Sequence, residues 1–326
     1  MMMEKVYKKM PVKLGIIIGV LSGMLWGLND VFTNIYSQKV LISSQSLFVI
    51  VFALSLSFMQ DSFSCAGILS YHRAKNTFAK NWQAPKKIYI LLAIAAICAG
   101  PLGMVAGVVG IAYAGPVYAG VVTSCYPVVA LILATLFLRE RPTKLKLIGV
   151  VLSVTAVIFI SIAGEKSGIE NITIGLIFAG CAMLGWGMES VLFSYVSHRS
   201  SCDTSWLLAV RQFCSAVSYL LILIVIAIFY LPILLTVWDS IFHPLLIVAC
   251  VLSAATSYLA YYHAIKQIGA SLGTTFNASF IFWAGIFSVL FQISQLHLSF
   301  ILWGCVLIIG IYCATSGTVR PKKVLI

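Results

Sequence analysis

The sequence predicts an all-α integral membrane protein of ten transmembrane helices, arranged as two inverted five-helix repeats with both N and C termini cytoplasmic. Three observations predict it. Of 326 residues, 61% are hydrophobic and 9% charged, and the mean hydropathy is +1.04, a composition that belongs in lipid rather than in water. The basic residues fall on alternate loops. A pattern of five apolar spans occurs twice along the chain.

A bilayer core of roughly 30 Å takes about 20 apolar residues per helix, and lipid offers the backbone no hydrogen-bond partners, so spans of that length are helices. The first, 14–36, follows Lys5, Lys8, Lys9 and Lys13 and ends in polar "NDVFTNIYSQ", too long and without the cleavage site of a signal peptide. The second, 44–70, runs up to a cluster of Arg73, Lys75, Lys80, Lys86 and Lys87. That cluster opens the third, 88–112, where Pro101 and several glycines predict a kinked, closely packed helix. The fourth, 117–138, ends at Arg139 and Arg141, and Lys144 and Lys146 mark the start of the fifth, 145–163. After "GEKSGIEN" come the sixth, 173–196, closed by Arg199, and the seventh, 204–231, which carries Arg211. The eighth, 243–265, stops at Lys266; the ninth, 269–291, and tenth, 298–317, precede Arg320, Lys322 and Lys323.

Of the 21 Lys and Arg residues, 18 fall on one side of these spans, two (Lys39 and Lys166) on the other, and Arg211 within one. The positive-inside rule makes the richer side cytoplasmic and requires an even number of spans. The net charge of +12 therefore reads as orientation in a plasma (bacterial inner) membrane, with the lipid bilayer and not nucleic acid as partner. Nine cysteines lie singly and five histidines are dispersed, so no disulfide framework, metal site or cofactor is expected. No acid/base pair or nucleophile cluster points to an enzyme, and no repeated charge or filter-like glycine run points to a channel.

The two halves are expected at 14–163 and 173–317. At an offset of 160 residues "GMLWGLNDVFTNIYS" lies over "MLGWGMESVLFSYVS", pairing Trp26 with Trp186, Gly27 with Gly187 and Ser37 with Ser197. Five spans per half is an odd number, so the halves have opposite orientation. Inverted repeats are a feature of secondary transporters, whose site lies between the halves near the midplane.

Helix rise places Trp26 roughly 18 Å and Trp186 about 15 Å from the cytoplasmic face, with Tyr126, Trp283 and Pro101 near the same level. Glu189 comes out about 10 Å and Asp30 about 24 Å from that face. Trp186 and Glu189 are three apart and Trp26 and Asp30 four apart, so each tryptophan shares a helix face with an acid. A charge at such depth costs about 2.5–3.5 kcal/mol on insertion scales and normally meets a partner or a watery cavity. Aromatic walls closed by a carboxylate hold organic cations. The site expected on these grounds has Trp26, Tyr126, Trp186, Tyr258 or Tyr262, and Trp283 as walls, with Tyr261 a further candidate and Glu189 as counter-charge. Asp30, Arg211, Gln212 and Asn277 are assigned to coupling or polar support. Each piece has a structural alternative. The tryptophans can be packing residues, the tyrosines an interfacial belt, and Asn29, Asn277, Gln212 and Thr274 interhelical hydrogen bonds. Asp30 can be hydrated from the outer mouth. Arg211 lies at the depth of Glu189, so the two can form a closed salt bridge that leaves no charge for a substrate.

Over residues 14 to 317 the chain resembles the drug/metabolite transporter superfamily of the ten-helix, EamA-like kind, with "FLRERPTKLKLIGVVL" similar to that family's linker into its fifth helix. Within it, "AGPLGM" (99–104), "WGMESVL" (186–192), "RQ" (211–212) and "SYLAYY" (257–262) resemble the Lic-type choline permeases. The resemblance implies alternating access between two inverted repeats and import of choline or a similar quaternary amine, with proton symport the coupling that a carboxylate favours. The other expectation within transporters is an exporter of amino acids or similar metabolites, with Arg211 holding a substrate carboxylate.

Overall fold

The computed structural model describes residues 12–40, 46–162, 172–292 and 298–316. The loop around Lys166, the basic residues up to Lys9 and the C-terminal Arg320, Lys322 and Lys323 lie outside them, so the orientation of the termini rests on the charge pattern. Among the described residues the chain is helical, without strands. The first half contains α1 (Val12–Val40), α2 (Ser46–Ala74), a short α3 (Phe78–Trp82), α4 (Lys86–Ile97), α5 (Ala106–Thr123), α6 (Tyr126–Phe137) and α7 (Lys144–Ile162). The second contains α8 (Ile172–Arg199), α9 (Thr204–Ser240), α10 (Pro244–Ile268), α11 (Ala270–Asn277), α12 (Phe280–Leu290) and α13 (Leu298–Ser316). Seven helical runs within these are long and apolar enough to cross a membrane, and two shorter apolar helices, Tyr126–Phe137 and Ile301–Ala314, accompany them.

Pro101 does not simply kink its helix. Cys98–Val105 forms a π-helical stretch joining α4 to α5, because proline removes an N–H from the ladder and its ring crowds the preceding turn. Ser215 Oγ donates to the Ala96 carbonyl at 3.2 Å just before it. The boundary expected between the third and fourth spans falls inside α5. Gly103 and Gly107 lie against Trp186, and Gly110 against Gly175 and Ala179, so this stretch runs antiparallel to α8. A straight continuation would carry Tyr126 about 24 Å past Gly110. Instead the Tyr126 carbonyl and Val129 lie against Gly187. The backbone therefore doubles back between Gly110 and Tyr126.

Two expected spans are interrupted. The helix breaks at Ser124–Cys125, where Pro127 occupies the first turn of α6, a place that suits a residue without an N–H. It breaks again at Ala278–Ser279, where Ser279 Oγ bonds the Phe276 carbonyl at 2.6 Å, the local side-chain competition that ends helices. The seventh span, expected to stop at 231, continues to Ser240 beyond a kink at Tyr230 next to Pro232. That extension is largely apolar and packs with the end of α1 and the first half of α2: Tyr36 donates its hydroxyl to the Ile241 carbonyl, and Trp238 Nε1 donates to Ser55 Oγ at 3.1 Å.

The interruptions meet the two tryptophan helices in a crossed arrangement. A Cβ on Gly27 would lie 2.6 Å from the Phe280 carbonyl, so α1 seats on the break between α11 and α12; one on Gly187 would lie 2.6 Å from Val129, so α8 seats on the start of α6. Close approach of this kind is what small residues permit in a membrane bundle. On the basic side, Asn81 links the α2–α4 connection to the start of α9, donating to Asp203 Oδ2 at 3.0 Å and accepting from Asp203 N at 2.9 Å. Glu140 of "RERP" accepts from Lys146 Nζ at 3.3 Å and Ser271 Oγ at 3.2 Å, tying the α6–α7 loop to α11.

Candidate functional site

The helix breaks, α1, α8 and α10 enclose a cavity of about 60 Å³. Trp26 comes from α1, Trp186 and Glu189 from α8, and Ser257, Tyr258 and Tyr261 from α10. The breaks bring Tyr126 from one side and Asn277 and Phe280 from the other, and the π-helical stretch adds Met104. The volume is far below the roughly 300–1,000 Å³ of sites for drug-sized ligands, so it suits a small head group.

Helix periodicity sorts these residues. Trp186 and Glu189, three apart, share one face of α8; Tyr258 and Tyr261, also three apart, share one face of α10. Trp26 meets Tyr258 edge-on with ring centroids 5.1 Å apart, and Trp186 meets Tyr126 edge-on at 6.1 Å. Trp186 is seated by Gly103, where a Cβ would lie 2.5 Å from the indole Nε1, so the π-helical stretch and the tryptophan depend on each other. The Tyr126 hydroxyl lies 2.9 Å from Asn277 Oδ1 and donates also toward the Thr274 carbonyl at 3.1 Å. Asn277 Nδ2 donates to Ser22 Oγ at 3.3 Å.

The electrostatics centre on Arg211, 1% exposed on α9. Its Nε donates to Glu189 Oε1 at 3.0 Å and its Nη1 to Asp61 Oδ2 at 3.0 Å. The guanidinium carbon sits 5.0 Å from the centroid of the Tyr258 ring, a cation–π distance. Tyr262 donates its hydroxyl to the same Glu189 Oε1. Glu189 therefore takes both bonds on one oxygen, and among the described residues Oε2 has no protein donor although Glu189 lines the cavity. Arg211 does not line it.

Of the residues expected at a site, Trp26, Tyr126, Trp186, Glu189, Tyr258 and Asn277 come together around this cavity. Tyr262 supports Glu189 from behind, while Tyr261 takes the lining position. Trp283 is not brought to the cavity; its ring packs near Phe282 and Phe287 at centroid distances of 5.7 and 6.5 Å. Gln212 accepts from Ser64 Oγ at 2.9 Å between α9 and α2, and Asp30 lies off the lining. Sequence reasoning missed Met104, Ser257 and Phe280 in the lining and, among the charged residues, Asp61. The signal for Asp61 was present, since it is an acid inside the second span, subject to the same cost as Glu189.

A multi-pass helical membrane protein whose broken helices enclose an aromatic, acidic cavity is the class that fold and site define. Residues 13–162 match the model of the EamA-like transporter family. The chain is 31% identical to Protein LicB of Haemophilus influenzae over 194 residues, which cover 59% of this chain and 63% of that relative; the match thus spans under two thirds of the relative's length. A solved crystal structure, 12% identical, superposes with a TM-score of 0.71 over 93% of this chain and 97% of its own, so the fold is shared beyond the matched domain.

Proposed function

We propose that the protein is a secondary active transporter, working by alternating access, that takes up choline or a similarly small quaternary or organic cation across the plasma (bacterial inner) membrane. One observation carries the reading: the only charged residue lining the aromatic cavity, among the described residues, is Glu189, and one of its oxygens is left without a protein donor. A carboxylate among tryptophan and tyrosine rings suits a positive group, held by about 2 kcal/mol or more where cation and ring are desolvated.

The crossed seating of α1 on the α11–α12 break and of α8 on α6 supports ten passes in two inverted halves, 14–163 and 173–317, with the site between them as in other inverted-repeat transporters. Proton coupling, in this reading, runs through the buried acids. The exporter alternative needs Arg211 to meet a substrate carboxylate. Arg211 instead gives hydrogen bonds to two acids and lies outside the lining, so no observation favours it.

The test is uptake of radiolabelled choline by proteoliposomes containing the purified protein. Uptake should exceed that of empty vesicles and be inhibited by tetramethylammonium, whereas glycine betaine, which carries the same head group on a zwitterion, should compete at least ~10-fold more weakly, about 1.4 kcal/mol. Absence of choline uptake in vesicles that transport amino acids would replace this reading with the exporter.

A further inference from the structure

We infer that Asp61, which lies outside the cavity, makes the site selective for a monovalent cation by neutralising Arg211 and so leaving the charge of Glu189 uncompensated. The inference rests on the cation pocket proposed above and concerns which residue sets its charge.

Asp61, Arg211 and Glu189 are 4%, 1% and 3% exposed, respectively, and come from α2, α9 and α8. The guanidinium is shared: Nη1 serves Asp61 and Nε serves Glu189, each at 3.0 Å. No other ion pair among the described residues involves these three, the remaining one being Lys146 with Glu140. With both acids ionised the cluster holds one positive and two negative charges. Its net charge is therefore minus one. Asp30, the acid on α1, does not line the cavity and has no bond to the cluster.

That count decides what the cavity can hold. A buried Glu189–Arg211 pair without Asp61 would be neutral, and an entering cation would meet the attraction of the carboxylate reduced by repulsion from the guanidinium behind it. With Asp61 present, a monovalent cation brings the enclosed ensemble to neutrality, whereas a zwitterion leaves it at minus one and a divalent cation at plus one. Uncompensated charge is costly where water is excluded. The Tyr258 ring, which lines the cavity and sits 5.0 Å from the guanidinium carbon, adds distance between Arg211 and the occupant. Asp61 is thus a positioning residue for charge: it touches no substrate, yet fixes the sign of the site.

The test measures the affinity of the full-length protein for choline and for 3,3-dimethylbutan-1-ol, the isostere with a neutral carbon in place of the nitrogen. Wild-type protein should prefer the cation strongly. Asp61→Asn should reduce that preference by about 10-fold or more, and Asp61→Glu should restore it. The paired change Asp61→Asn with Arg211→Gln removes one charge of each sign, returns the cluster to minus one, and should also restore the preference. A structural role alone would not move the ratio of the two affinities or give rescue by a second lost charge. An unchanged ratio in Asp61→Asn overturns the inference, while loss of preference in Glu189→Gln leaves the cation pocket standing. An unchanged ratio in Glu189→Gln overturns the pocket itself. If Asp61→Asn alone does not fold, the paired variant decides: folded protein that binds both probes equally overturns the inference.

Discussion

Replacing Glu189 with glutamine should weaken choline binding by roughly 30-fold or more while the protein stays folded. The amide fills the same volume and still accepts from Tyr262, so packing on α8 is kept, but the charge opposite the substrate is gone. Removing one side of a buried charge pair costs about 2–5 kcal/mol in binding, which is roughly 30-fold or more in Kd. The effect on the fold is expected to be smaller than for an isolated ion pair. There, deleting one partner orphans the other and costs about 3–5 kcal/mol. Here the guanidinium keeps Asp61 at 3.0 Å. Arg211→Gln should do the reverse, because it leaves two buried acids without their shared cation; a loss of thermal stability without ligand, larger than that of Glu189→Gln, is expected. Choline affinity in Glu189→Gln equal to wild type, in folded protein, would contradict the assignment of the counter-charge.

The second large effect is expected at Trp186. If its ring contributes through its electron-rich face, Trp186→Leu should lose about 2 kcal/mol of cation binding, roughly 30-fold, and Trp186→Phe distinctly less, since phenylalanine keeps a weaker quadrupole and leucine keeps only bulk. Equal losses in the two variants would identify packing against Gly103 and Tyr126 as the role of the ring. The Trp26 series should follow the same order, because Trp26 holds the corresponding place beside Tyr258. Titrations of each variant with choline, read alongside ligand-free melting curves, separate affinity from stability.

Much of this architecture is legible before any coordinates, because lipid imposes a simple rule on composition and length. The apolar runs and their basic borders locate the helices, and counting helix rise puts Glu189 and Arg211 at one depth, where they meet at 3.0 Å. The tryptophan pair shows in the 160-residue offset. What remained hidden needs the rotation of each helix about its axis and the identity of its neighbours. The sequence favours Tyr258 or Tyr262 over Tyr261, and only the packing of α10 turns Tyr258 and Tyr261 to the cavity and Tyr262 to Glu189. Trp283 shares the right depth but turns toward Phe282 and Phe287. Asp61 was overlooked for a different reason. A single acid–base pair explained Arg211 on its own, and the third charge enters only once α2 is seen beside α9. The breaks at 124–125 and 278–279 carry local signals, Ser124 and Pro127 at the first and Asn277 and Ser279 at the second, but each lies inside an apolar run long enough to read as one span.

The most direct measurement is a structure of the protein with choline bound, in nanodiscs or crystals. The account predicts the quaternary nitrogen inside the cavity, within about 6 Å of the Trp26 and Trp186 ring centroids and on the Oε2 side of Glu189, with Arg211 still bonded to Asp61. Density for the ligand elsewhere, or a bound state in which Arg211 turns into the cavity to meet the ligand while Glu189 turns away, would contradict it.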